Sequence, residues 1–154
     1  MPDLAFARSS GSDMRYPVLY THRGIPARFA GTTRGPFICI RPEYRGDTGL
    51  HRHELEHVRQ WFAWFAGGGV VALLLVLLGM PAYASPVLAL GASGHGLLYQ
   101  LSRRYRRWAE VRAYAVQAGC YADDRRPTLA AHLAEHYGLG ITPEQALALL
   151  SKPR

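Results

Sequence analysis

The chain is predicted to adopt an α+β fold, and three observations point there. Residues 15–41 hold short β-prone runs punctuated by glycine and proline. The next segment has a helical period, with Leu55, Val58, Phe62 and Phe65 falling on one stripe. Residues 61–80 carry no charge, and a second uncharged run covers 87–101, so an apolar helical hairpin interrupts the small α+β unit.

Taken in order, residues 1–14 are polar and small, contain no apolar signal-peptide core, and read as a flexible tail. The unit of strands plus the first helix spans 15–60. Residues 16–20 form a candidate strand, 27–31 a second, and 31–35 (Gly-Thr-Thr-Arg-Gly) a turn. The strongest strand is 37–41, with prolines at 36 and 42 that suit an edge position. Asp47 or Thr48 can cap the helix that follows from about Leu50.

Residues 61–101 form the hairpin. Its first leg of twenty residues reaches about 30 Å, the thickness of a bilayer's hydrocarbon core, and residues 81–86 make the bend. Arg52 and Arg59 precede it, while Arg103, Arg104, Arg106 and Arg107 follow. The positive-inside rule therefore places both ends in the cytoplasm. The alternative is a hairpin buried in a soluble core, because Gly67, Gly68 and Gly69 weaken the first leg and the second is short. His95, inside the second leg, reads as a packing or interfacial residue. Residues 102–154 hold a helix from Arg103 to about Ala118, another over 128–137, and a last one opened by Thr142, Pro143 and the capping-box partner Gln145.

Formal net charge is +7, from 18 Lys and Arg of which only Lys152 is lysine. No basic helix with interleaved aromatics accompanies that charge, so no nucleic-acid partner is expected. Cys39 and Cys120 form no metal-type or disulfide pattern, which fits reduced thiols.

The chemistry centres on His53, Glu54 and His57, an H-E-x-x-H sequence. One helical turn puts both imidazoles on one face, where they can share a metal ion. Glu54 then stands beside the metal, where a general base takes a proton from metal-bound water. Catalytic zinc takes three protein ligands, and the best third candidate is Glu110 on the helix after the hairpin. Ala113 would let that helix approach closely, and Tyr114, one turn beyond Glu110, could hydrogen-bond a ligand or a substrate oxyanion. Glu110 could instead pair with Arg106 or Arg107. A rival motif, His132-x-x-Glu135-His136, has only Glu144 downstream to complete it. His51 reads as solvent-exposed, and Glu56 as solvated or paired with Arg52 or Arg59.

This set of residues, H-E-L-E-H at 53–57, an apolar hairpin, then Glu110-Val111-Arg112-Ala113, resembles the gluzincin metallopeptidases. It is most similar to their membrane-embedded branch of CAAX-prenyl-protease and heat-shock-protease type, which places membrane segments between H-E-x-x-H and E-x-x-A-D. The resemblance covers residues 50–115. One position departs: the family's aspartate falls on Tyr114. The chain also resembles small bacterial or phage-borne zincin-like proteins with an H-E-L-x-H-V-x-Q helix, which Gln60 fits.

The resemblance implies a small zincin-like domain with Zn2+ on His53, His57 and Glu110, Glu54 as base, and a peptide or protein substrate cleaved at the bilayer. Residues 37–41 would then bind an extended peptide by strand addition. The alternative is a non-catalytic membrane-associated protein with a structural metal site, or a helical membrane adaptor with no metal.

Overall fold

The computed structural model describes residues 3–8 and 15–152, and its fold is α+β. Four strands form one sheet: β1 (Asp3–Arg8), β2 (Arg15–Tyr20), β3 (Gly31–Arg34) and β4 (Phe37–Ile40). Five α-helices follow: α1 (Thr48–Leu77), α2 (Ala84–Leu101), α3 (Arg103–Ala118), α4 (Arg126–His136) and α5 (Pro143–Leu150).

The sheet order is β1-β2-β4-β3. β1 and β2 are antiparallel, β2 and β4 parallel, β4 and β3 antiparallel. Three expectations change here. Residues 3–8 of the presumed tail pair with β2, because their alternation finds a strand edge to satisfy it; 1–2 and 9–14 lie outside the described residues. The segment 31–34 is a strand rather than a turn, and the turn falls at Gly35 and Pro36. Gly35 has φ +60°, the sign a tight hairpin requires at its first central residue. Finally, β4 is interior, so its flanking prolines end the strand without marking an edge; the edge strands are β1 and β3.

Asp47 caps α1 by accepting from the Leu50 amide at 2.9 Å. The helix then runs unbroken for 30 residues, straight through the glycine triplet. Its first half lies on the sheet. Val18, Ile38, Ile40, Leu55 and Val58 make one core, with Tyr16, Tyr20 and Leu50 at its margin. The predicted stripe ends there: Phe62 and Phe65 are exposed, because the helix has run past the sheet. α2 returns along the second half of α1. The two pack closely where they have no side chains: a Cβ on Gly68 would lie 2.7 Å from the Gly91 Cα.

α3 does not continue α2. Ser102 breaks the path with an extended backbone and caps α3 through its side chain. α3 crosses back over α1, its contact face made of fully buried Ala109 and Ala113. A second core joins α3 to α4 and α5 through Tyr114, Leu129, Leu133, Leu139, Ala146 and Leu150. The capping box of Thr142 and Gln145 opens α5 as predicted. The residues between the two cores are those of the candidate site.

Candidate metal centre

α1 and α3 bring His53, His57 and Glu110 together as a buried group able to hold a metal ion. His53 and His57 are spaced to share a helix face, and their Nε2 atoms lie 3.3 Å apart. The His53 Nε2 is 3.5 Å from Glu110 Oε2, and the His57 Nε2 is 3.3 Å from Glu110 Oε1. Ligands about 2.0–2.1 Å from a tetrahedral zinc stand about 3.3 Å from one another, so the spacing fits such an ion. The hydrogen bonding fits it too. Glu110 is 1 % exposed, yet its Oε2 has no hydrogen-bond partner. A buried carboxylate oxygen left bare is costly unless a cation faces it.

His57 and Glu110 are each held by a neighbour, whereas the buried His53 Nδ1 has no hydrogen-bond partner among the described residues. The Gln60 amide donates to the Ala109 carbonyl at 3.1 Å, which turns its Oε1 toward His57 Nδ1, also at 3.1 Å. His57 therefore donates from Nδ1 and keeps Nε2 for the cluster. Tyr99, on α2, donates from its hydroxyl to Glu110 Oε1. Glu56 is buried and takes Arg112 Nε at 3.0 Å and Arg59 at 3.7 Å, so it ties α1 to α3. Of the partners expected from sequence Arg59 is present, and Arg112 is added across the helix interface.

The charges explain how the cluster is satisfied by protons. Burial opposes a charge on His57, but the Glu110 carboxylate overrides it and raises the imidazole pKa to about 9. Burial likewise opposes ionised Glu110, and the two histidines hold its carboxyl well below the usual carboxylate range. A proton on His57 thus occupies the role a cation would take.

Glu54 is buried beside the cluster. Thr33 Oγ1 lies 2.7 Å from its Oε2 and 3.0 Å from its backbone carbonyl. Gly31 precedes Thr33 by two, so both face α1. A Cβ on Gly31 would come within 2.7 Å of Glu54 Oε1. Neither residue was singled out from sequence, since Gly-Thr-Thr resembles turn chemistry; only the pairing of β3 with β4 sets the period that aims them at Glu54.

A cleft of about 380 Å³ opens over His53, Glu54 and His57. β3 forms one wall, and α2, with His95 and Tyr99, forms the other. Tyr114 does not face it. Its ring packs edge-on against His53 at 4.5 Å, while its hydroxyl bonds His132 Nδ1 at 2.6 Å and Tyr137 at 3.0 Å. Tyr114 thus packs against His53 and commits its hydroxyl to α4 and Tyr137. His132 and His136 meet edge to face with centroids 4.2 Å apart and form no metal-ligand group with Glu135 among the described residues. His51 is half-buried, 3.1 Å from the Arg45 carbonyl, away from the cluster.

Comparison of the chain with protein-family models, with curated proteins and with solved structures found no match in any of the three.

Proposed function

We propose that the protein is a membrane-associated, zinc-dependent peptidase with a zincin-like domain. The observation that carries this reading is the buried triangle of His53, His57 and Glu110 with Glu54 beside it at the floor of an open cleft. A purely structural zinc is usually closed by a fourth protein ligand; no fourth His, Cys, Asp or Glu joins this group among the described residues.

Bound zinc would act as a Lewis acid and lower the pKa of a water it holds. The protein's own residues supply the rest. Thr33 pins Glu54 Oε2, while Oε1 makes no protein hydrogen bond among the described residues and is the atom to receive the water's proton. The same carboxyl then returns that proton to the departing amine. Gly31 keeps the space at Oε1 open. An extended peptide would lie along β3, the edge strand that lines the cleft, in place of the interior strand 37–41 named from sequence.

Residues 61–101 are proposed to sit in the bilayer as a hairpin. One helix, α1, is long and apolar enough to cross a membrane, and only 11 % of its apolar window is buried. A core helix of a soluble protein would be mostly covered, whereas Leu73, Leu77 and Leu78 are 60–74 % exposed. The arginines at the hairpin base favour a cytoplasmic face for the metal site.

The test is zinc content and casein cleavage of the detergent-purified chain. Glu54→Gln should keep about one zinc per chain and lose cleavage, while Glu110→Ala should lose both. Full cleavage by Glu54→Gln, or a folded wild type that takes up no zinc, would reject the reading. Release from membranes by an alkaline wash would reject the bilayer hairpin.

A further inference from the structure

We propose that His132 and His136, one turn apart on α4, form a second metal site that takes a single divalent transition ion such as zinc or copper. It shares no ligand with the cluster of His53, His57 and Glu110, and the inference does not depend on the peptidase reading.

The argument starts from the spacing that α1 uses. His53 and His57 are four residues apart, and their rings meet edge to face with centroids 5.0 Å apart and planes at 72°. His132 and His136 are also four residues apart on one helix, with centroids 4.2 Å apart and planes at 71°. α4 therefore repeats on its own surface the imidazole pair on which the first cluster is built.

The ring nitrogens are disposed for an ion. The Tyr114 hydroxyl lies 2.6 Å from His132 Nδ1 and orients that ring. It can accept from Nδ1–H, because the Tyr137 hydroxyl stands 3.0 Å away to take the Tyr114 hydrogen. His132 then offers Nε2, just as His57 engages Gln60 through Nδ1 and keeps Nε2 for its cluster. Neither His132 Nε2 nor either ring nitrogen of His136 has a hydrogen-bond partner among the described residues. Both histidines are half-buried, so an ion reaches them from solvent and water fills its remaining positions.

The donor set fixes the class of ion. Two imidazoles suit zinc, nickel and copper, whereas calcium and magnesium require oxygen ligands. Glu135 adds no third ligand, so the pair holds zinc more weakly than the buried cluster does. The two rings also span the last turn of α4, whose cap residue Tyr137 makes no backbone N–H bond to the helix. An ion held by both rings would clip that turn.

The experiment uses the detergent-purified full chain and zinc. Zinc is titrated against a chelating dye, and the histidine ring nitrogens are followed by NMR. Wild type should show a second, weaker class of about one zinc per chain, and the His132 and His136 signals should shift together as it fills. His132→Ala and His136→Ala should each weaken that class by about 100-fold, because a lone imidazole loses the gain from a second on the same frame. Tyr114→Phe keeps the ring on His53, removes the hydroxyl from His132, and should weaken the class about 10-fold. Copper should bind the pair more tightly than zinc, and excess magnesium should not compete. Glu110→Ala should lose the first class and keep the second. A second class that survives His132→Ala or His136→Ala, or that is lost instead in His22→Ala or His51→Ala, would overturn the proposal. So would His132 and His136 signals that stay unmoved in excess zinc. A single class lost in Glu110→Ala would overturn this site and leave the first cluster standing. A single class kept in Glu110→Ala and lost in His136→Ala would uphold this site and reject the first.

Discussion

The two halves of α1 share one backbone and differ in almost everything else. Up to Gln60 the helix is clamped between the sheet and α3, and even its polar side chains His53, Glu54, Glu56, His57 and Gln60 are buried. From Trp61 onward it carries apolar side chains and leaves them exposed, touching chiefly α2. Burial and polarity are thus inverted along a single helix. In the first half, most buried polar groups meet a partner across an interface, Gln60 at the Ala109 carbonyl, Glu56 at Arg112 and Glu54 at Thr33. In the second, no charged group interrupts the apolar surface, and the helix is long and apolar enough to cross a membrane. The difference teaches that hydrophobicity alone does not mark the interior of this molecule.

The largest expected effect that tests this contrast comes from the crowded half. Gly31→Val would drive a side chain into Glu54 and should lower peptide turnover by about 100-fold or more with zinc content unchanged. Next, Gln60→Leu removes the acceptor that orients His57, and zinc affinity measured by chelator competition should fall about 10- to 100-fold. Third, paired substitutions compare the halves directly. Val58→Ala should cost about 1–2 kcal/mol in denaturant unfolding, because Val58 is fully buried against the sheet. Leu77→Gln should cost within about 0.5 kcal/mol in detergent, yet weaken retention in lipid vesicles. Equal costs at the two positions would erase the distinction.

The smallest effect is electrostatic. In chelator-treated protein, the raised His57 pKa contributes stability that is full below 6.5 and is lost as pH rises through about 9. The depressed Glu110 contributes stability that is present above 4.5 and is lost as pH falls further. Metal-free protein should therefore gain most from this pair between pH 4.5 and 6.5, and the melting temperature relative to Glu110→Gln should decline toward pH 9. With zinc bound the trend should reverse, because binding displaces the His57 proton and is favoured as pH rises.

The motif at 53–57 was legible because an α-helix converts a four-residue spacing into a shared face without help from the rest of the chain. Glu110 was legible only in combination: its residue type and the nearby Ala113 allowed a close helix, and α3 does make that approach over Ala109 and Ala113. Thr33, Gly31, Tyr99 and Arg112 were not legible. Each acts across an interface between elements far apart in sequence, and nothing local distinguishes Thr33 from an ordinary turn threonine. Tyr114 illustrates the converse. Its position one turn after Glu110 was read correctly, but the hydroxyl turned toward His132 because α4 supplies a partner there.

Local pattern alone was enough for the α+β class, the shared helix face of His53 and His57, the pair of apolar helices and the capping of α5, since these depend on periodicity, on residue charge and on side chains reaching their own backbone. Packing between distant segments decided the sheet order, the place of β3 beside the cleft, the partners of the Tyr114 hydroxyl and the Gln60 contact of His57 Nδ1. Those depend on which groups meet when distant segments pack, and a hydrogen bond's direction is set by the partner it meets.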